Sequence, residues 1–235
     1  MNVRQFDSYE AMSRYAAFSV AAQIRQKPDS VLGLATGSTP IGLYDGLAQL
    51  YQEGLISFRR VTTFNLDEYY GLSAEHPESY HAFMKRYLFS KVDIPAAQTH
   101  LMDGCAKDPE EECRRYDAAI TAAGGLDLQV LGIGFDGHIG FNEPSDSFAV
   151  DCHLVQLDPS TLAANARFFG GDPAKVPASA LTMGLRCIMG ARHILLLCNG
   201  PEKHAILKQA IGGPVRPEVP ASILQLHPNV DVLFF

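Results

Sequence analysis

The sequence predicts an α/β protein with a mostly parallel, twisted, doubly wound sheet. Short runs that are apolar throughout recur along the chain, stretches of 3.6-residue periodicity separate them, and the polar signatures fall directly after the apolar runs. Continuous apolar runs suit parallel strands whose two faces are covered by helices. Strands alternating with helices build that kind of sheet. Ligands then sit beyond the carboxyl ends of the strands.

The first helix is predicted over Ser8 to Gln26, where Met12, Tyr15, Ala16, Val20 and Ile24 recur near one helical face. The strand Val31 to Ala35 follows and ends in Thr-Gly-Ser-Thr-Pro40. Pro40 suits the first turn of a helix, where a missing N–H costs nothing, and that helix should run to about Glu53. Val61 to Phe64 is β-branched and strand-like. Ser79 to Leu88 and Asp108 to Ala123 read as helices, the second closed by Gly124 and Gly125. Leu126 to Gly134, Ile194 to Cys198 and Val230 to Phe235 complete the strands, with a helix over Glu202 to Ile211 between the last two.

No repeat, low-complexity tract or linker divides the 235 residues, so residues 1–235 read as one domain. Apolar residues make up 47% and charged residues 19%, enough to bury a core. Acidic side chains outnumber basic ones, 26 to 19, for a net charge of −7. That balance argues against nucleic acid and anionic membrane surfaces as partners, since both need a broad basic face. No apolar run approaches the ~18 residues of a membrane span, and the polar start MNVRQFDSYEAM has no signal-peptide core. The five cysteines are scattered and form no CxxC, which reads as buried thiols in a reducing compartment. The expectation is a cytoplasmic protein.

Three loops carry chemistry. In Ala35 to Pro40, Gly37 permits a tight turn, Ser38 and Thr39 offer hydroxyls and amides, and the next helix presents its positive end. This would cradle a phosphate, without the lysine of a Walker loop. A plain Ser/Thr helix cap explains the loop equally well. The second loop, Phe64-Asn-Leu-Asp-Glu-Tyr-Tyr-Gly71, sets Asp67 and Glu68 at a strand end. A half-solvated carboxylate there can act as a tunable base, although a pair of acids capping a turn is commoner.

The third loop, Gly132-Ile-Gly-Phe-Asp-Gly-His-Ile-Gly-Phe-Asn-Glu-Pro144, contains GxGxxG directly after a strand. A dinucleotide fingerprint needs a helix to open at once, and His138, Gly140, Asn142 and Pro144 start helices poorly. The glycines instead expose Asp136, His138 and Glu143, two carboxylates and an imidazole within eight positions. A carboxylate on one ring nitrogen orients the imidazole and leaves the other free to move protons. A metal site is a third reading, but the spacing is not that of HExxH. Arg167 and Lys203 could complete an anion pocket, Arg167 through a bidentate fork and Lys203 from the start of the helix after Ile194 to Cys198. Taken singly, either cation is an ordinary surface residue.

Taken together, GLATGSTP, TFNLDEYYGL, GIGFDGHIGFNEP, NARFF and NGPEKHA, in this order, resemble the glucosamine-6-phosphate deaminase family, from about Val31 to Pro228. The resemblance implies a single Rossmann-like α/β/α domain and an amino-sugar catabolic enzyme. Its reaction would turn glucosamine 6-phosphate and water into fructose 6-phosphate and ammonia, without metal or organic cofactor. It implies that Asp67 moves the proton between C2 and C1. His138 would open the sugar ring, and Asp136 and Glu143 would orient and polarise that histidine. The sequence does not say whether Glu68 has a chemical part, and it is treated as structural. Gly37, Ser38, Thr39, Arg167 and Lys203 would hold the 6-phosphate.

Longer relatives carry a C-terminal tail and form hexamers activated by an N-acetylated sugar phosphate. This chain ends at Phe235, and Asp146 to Gln156 lacks the Arg/Lys pair that would hold that effector. The expectation is an enzyme active without it, with a monomer favoured over a homo-oligomer. A sigmoidal rate curve made hyperbolic by N-acetylglucosamine 6-phosphate would overturn that. Rival readings are a 6-phosphogluconolactonase, which needs no proton transfer at C2, and a silent sugar-phosphate sensor, which would lose the acid/base set. A nicotinamide enzyme fits the loops least.

Overall fold

The first helix begins where Ser8, in extended backbone, accepts a hydrogen bond from the Ala11 N–H and so caps the exposed donors. The computed structural model describes residues 1–235. Along the chain come β1 (Asn2–Gln5), α1 (Tyr9–Gln26), β2 (Val31–Leu34), α2 (Ile41–Gln52), β3 (Thr62–Asn65) and β4 (Asp67–Tyr69). Then follow α3 (Tyr80–Tyr87), β5 (Thr99–His100), α4 (Pro109–Ala122), β6 (Leu128–Gly132), β7 (His153–Gln156) and α5 (Pro159–Asn165). The last elements are β8 (Ser179–Thr182), α6 (Leu185–Met189), β9 (Ile194–Cys198), α7 (His204–Gly212) and β10 (Val230–Phe234).

Seven strands form one wholly parallel sheet in the order β1-β10-β9-β6-β2-β3-β5, with helices on both sides. From β2 the chain steps outward through β3 to β5, then returns to place β6 against the other side of β2. That reversal opens a crevice at the carboxyl ends of β2 and β6, where an open α/β sheet binds its ligands. A core of 50 buried residues packs on this sheet, with Leu32, Leu128, Val130, Leu195 and Leu196 inaccessible. No helix is long and apolar enough to cross a membrane.

The amino ends of β2 and β6 are tied by Asp127, 3% exposed, which accepts the Val31 N–H at 2.7 Å and pairs with Lys27 and Arg192. Those cations hold the Asp127 carboxyl below the ordinary carboxylate range despite its burial.

The structure adds elements that the sequence does not announce. β1 is a fully exposed edge strand and β5 only two residues long, so neither shows an apolar run. A second, antiparallel sheet joins β4, β8 and β7, pairing Asp67 with Thr182 and Glu68 with Leu181. Asp67, expected in a loop, is therefore the first residue of a strand. A small apolar cluster of Tyr69, Phe141, Leu157, Ala166, Phe169, Val176 and Ala180 packs beneath this ribbon. It anchors α5 and the turn after it, which lie over the crevice.

Candidate active site

The loop after β2 turns at Gly37, whose φ of +91° is a conformation that side chains resist. Tyr9, reaching from α1, fixes this loop from behind. Its hydroxyl lies 3.2 and 3.0 Å from the carbonyls of Ser38 and Thr39 and accepts the Gly42 N–H at 2.8 Å. Thr39 and Ile41, at the start of α2, line the crevice. Arg167 faces them from the turn after α5 and donates to the Ser38 hydroxyl at 3.2 Å. Lys203 lies in the single turn before α7, at the carboxyl end of β9, and donates to the Ile133 carbonyl at 2.8 Å. Burial lowers its pKa. Two cations and a helix start thus bound one end of the crevice, an arrangement suited to a phosphate.

Asp67 sits at the other wall, 6% exposed, with Oδ1 buried and without a hydrogen-bond partner. Burial, reinforced by the Glu68 charge, pushes its carboxyl up to about 8, against the opposing pull of His138 and a Thr36 hydrogen bond. Glu68, its neighbour, points the other way because adjacent strand residues face opposite sides. It is 1% exposed and accepts the N–H groups of Tyr69, Tyr80 and His81 at 2.8, 3.0 and 3.1 Å. The His81 ring lies 2.9 Å away. Glu68 therefore caps α3. Glu68→Ala would strand these donors, and a loss of about 2–4 kcal/mol in chemical unfolding is expected.

The loop after β6 has no helix before β7, so the pyrophosphate site of a dinucleotide fingerprint is absent. Its glycines make room. A Cβ at Gly134 would lie 2.3 Å from the His138 ring, so the imidazole rests on bare backbone. His138 Nδ1 stands 2.7 Å from Asp136 Oδ1 and 3.4 Å from Glu143 Oε2, close to both without aligning its N–H on either. Although burial opposes its charge, the two acids raise His138 to about 9, and the imidazolium in turn draws Asp136 down to about 2 against its own burial. The imidazole is a cation at neutral pH. The His138 ring nitrogen and the carboxylate oxygens of Asp136 and Glu143 lie within 4.8 Å of one another, close enough for the three groups to share a proton.

These loops line one cleft of about 380 Å³. Gly37, Ser38, Thr39, Asp67, Asp136, His138, Arg167 and Lys203 all face it. Glu143 does not, and stands behind the imidazole. Sequence reasoning passed over Thr36, Tyr9 and Thr161, whose parts here depend on contacts between distant segments.

A family model described as glucosamine-6-phosphate isomerases/6-phosphogluconolactonase matches residues 5–233. The chain belongs to this family. It is 52% identical to the glucosamine-6-phosphate deaminase of Lachnoclostridium phytofermentans over 99% of this chain and 98% of that protein. The deaminase of Halothermothrix orenii is also 52% identical, over 99% of this chain and 96% of the other. A solved monomeric glucosamine-6-phosphate deaminase superimposes with a TM-score of 0.97 at 44% identity, covering 100% of this chain and 97% of that one. A 6-phosphogluconolactonase from Thermotoga maritima, at 22% identity and a TM-score of 0.76 over 99% of this chain and 98% of that one, shares the fold. Within the family the deaminase branch is the nearer by sequence.

Proposed function

We infer that this chain is a glucosamine-6-phosphate deaminase, converting glucosamine 6-phosphate and water to fructose 6-phosphate and ammonia. The observation that carries the mechanism is one cleft holding a buried carboxylate and an imidazolium opposite an anion pocket. Gly37, Ser38, Thr39, Arg167 and Lys203 take the 6-phosphate, and that distant grip orients the sugar at the reacting carbons. His138, charged by Asp136 and Glu143, gives a proton to the ring oxygen as the C1–O5 bond breaks and takes one back from the C1 hydroxyl, which leaves the open-chain aldehyde. Asp67 then takes the proton from C2 while the C2 ammonium passes one to O1, and the carboxyl gives a proton to C1. The C2 iminium so formed adds water and loses ammonia, leaving the C2 ketone. A carboxyl raised by burial is a stronger base once ionised, and the C2 ammonium of the substrate favours the ionised form. The monomeric state of the 44%-identical deaminase supports a monomer here as well.

Purified protein given glucosamine 6-phosphate should release ammonia and fructose 6-phosphate in equal amounts. Hydrolysis of 6-phosphogluconolactone without ammonia from the amino sugar would overturn this reading. The same assay reads the proton inventory. Catalysis requires Asp67 ionised and His138 protonated, so kcat/KM should rise as pH passes about 8 and fall as it passes about 9. A profile flat from pH 7 to 10 would contradict that pairing.

A further inference from the structure

We propose that Thr161 is a positioning residue, which from α5 holds the Glu143 carboxylate so that its second oxygen faces His138. Thr161 is 5% exposed, and its hydroxyl donates to Glu143 Oε1 at 2.8 Å. Glu143 Oε2 is buried without a hydrogen-bond partner, 3.4 Å from His138 Nδ1. Glu143 does not line the cleft, so it can influence the sugar only through the imidazole. A carboxylate on a flexible stem keeps such an aim only when its other oxygen is fixed. Threonine suits the task because its β-branch leaves χ1 few choices. The capping of α5 does not occupy it either, since Asp158 accepts the Ser160 N–H there.

The same segment carries Arg167 six residues on. It is pinned by Ala166 and Phe169 in the small apolar cluster and reaches Ser38 across the cleft. One short stretch therefore touches the anion pocket at one end and the proton relay at the other. Thr161 is the link to the relay.

This inference rests on the deaminase reading above, and its test separates the two. Thr161→Val keeps shape and removes the hydrogen bond, whereas Thr161→Ser keeps the hydroxyl. The valine variant should lose about tenfold in kcat with KM changed less than ~2-fold, and the serine variant should recover most of kcat. The groups facing His138 are Asp136 and Glu143 from its own loop, Asp67 from β4 and Asp158 before α5. With the other three untouched, a disoriented Glu143 should move the alkaline limb of kcat/KM to lower pH in the valine variant alone. The His138 ring titration followed by NMR without substrate should move the same way. A KM rise at constant kcat, or an unmoved His138 midpoint, would reduce Thr161 to a structural support of the Arg167 segment. If the wild type releases no ammonia, the deaminase reading fails, and the NMR titration still decides the role of Thr161.

Discussion

Asp67→Asn is expected to lower kcat by about three orders of magnitude while leaving the protein folded and able to bind its substrate. Asparagine has nearly the same shape and cannot take a proton from carbon. Burial already disfavours the Asp67 charge, as its rise to about 8 and its unpartnered Oδ1 indicate. An uncharged amide there should therefore cost no stability, and above pH 8 the variant should melt no lower than wild type. The check is deuterium incorporation at C1 when the reaction runs in D2O, beside ammonia release. Both should vanish together, whereas exchange between the two sugar anomers, which needs only ring opening, should still be accelerated. Ammonia release at the wild-type rate would remove Asp67 from the reaction.

The complementary substitution is His138→Gln, for which a loss of about two to three orders of magnitude is expected. Here the anomer exchange should fall to the uncatalysed rate, because the group that protonates the ring oxygen is gone. Stability should change with a defined sign. The folded His138 pKa, about 9, lies above its ordinary value of 6.5, so its pairing with Asp136 and Glu143 stabilises the fold fully below 6.5. That contribution is lost as pH rises through 9. Wild type should therefore lose stability relative to the glutamine variant between those limits in chemical denaturation. Parallel curves for the two proteins would show that the acids do not hold the imidazole as a cation.

Much of this architecture is legible in the chain. The continuous apolar runs Val31–Leu34, Leu128–Gly132 and Ile194–Cys198 are buried strands because a parallel sheet under helices leaves neither face wet. The glycine-rich loop after β6 also exposes its acids and imidazole as its composition suggests. What escapes such reading is the ribbon β4-β8-β7. Its strands are short, His153–Gln156 is half exposed, and its pairing joins residues more than a hundred positions apart, such as Asp67 and Thr182. That ribbon turns Asp67 toward the cleft and Glu68 toward the buried start of α3. Without it the two acids are interchangeable.

The chain by itself fixed which chemical groups stand after which strands, because strand ends, turns and caps obey rules that act over a few neighbouring residues. Only the tertiary structure decided that these groups meet. β6 lies beside β2 rather than beside β5, the strand before it, and this brings the loops of Gly37 and His138 to one crevice. Burial then raises the pKa of Asp67, and the adjoining Asp136 and Glu143 raise that of His138 against its burial. Desolvation and the closeness of opposite charges are properties of the folded surroundings, and no spacing along the polypeptide encodes them.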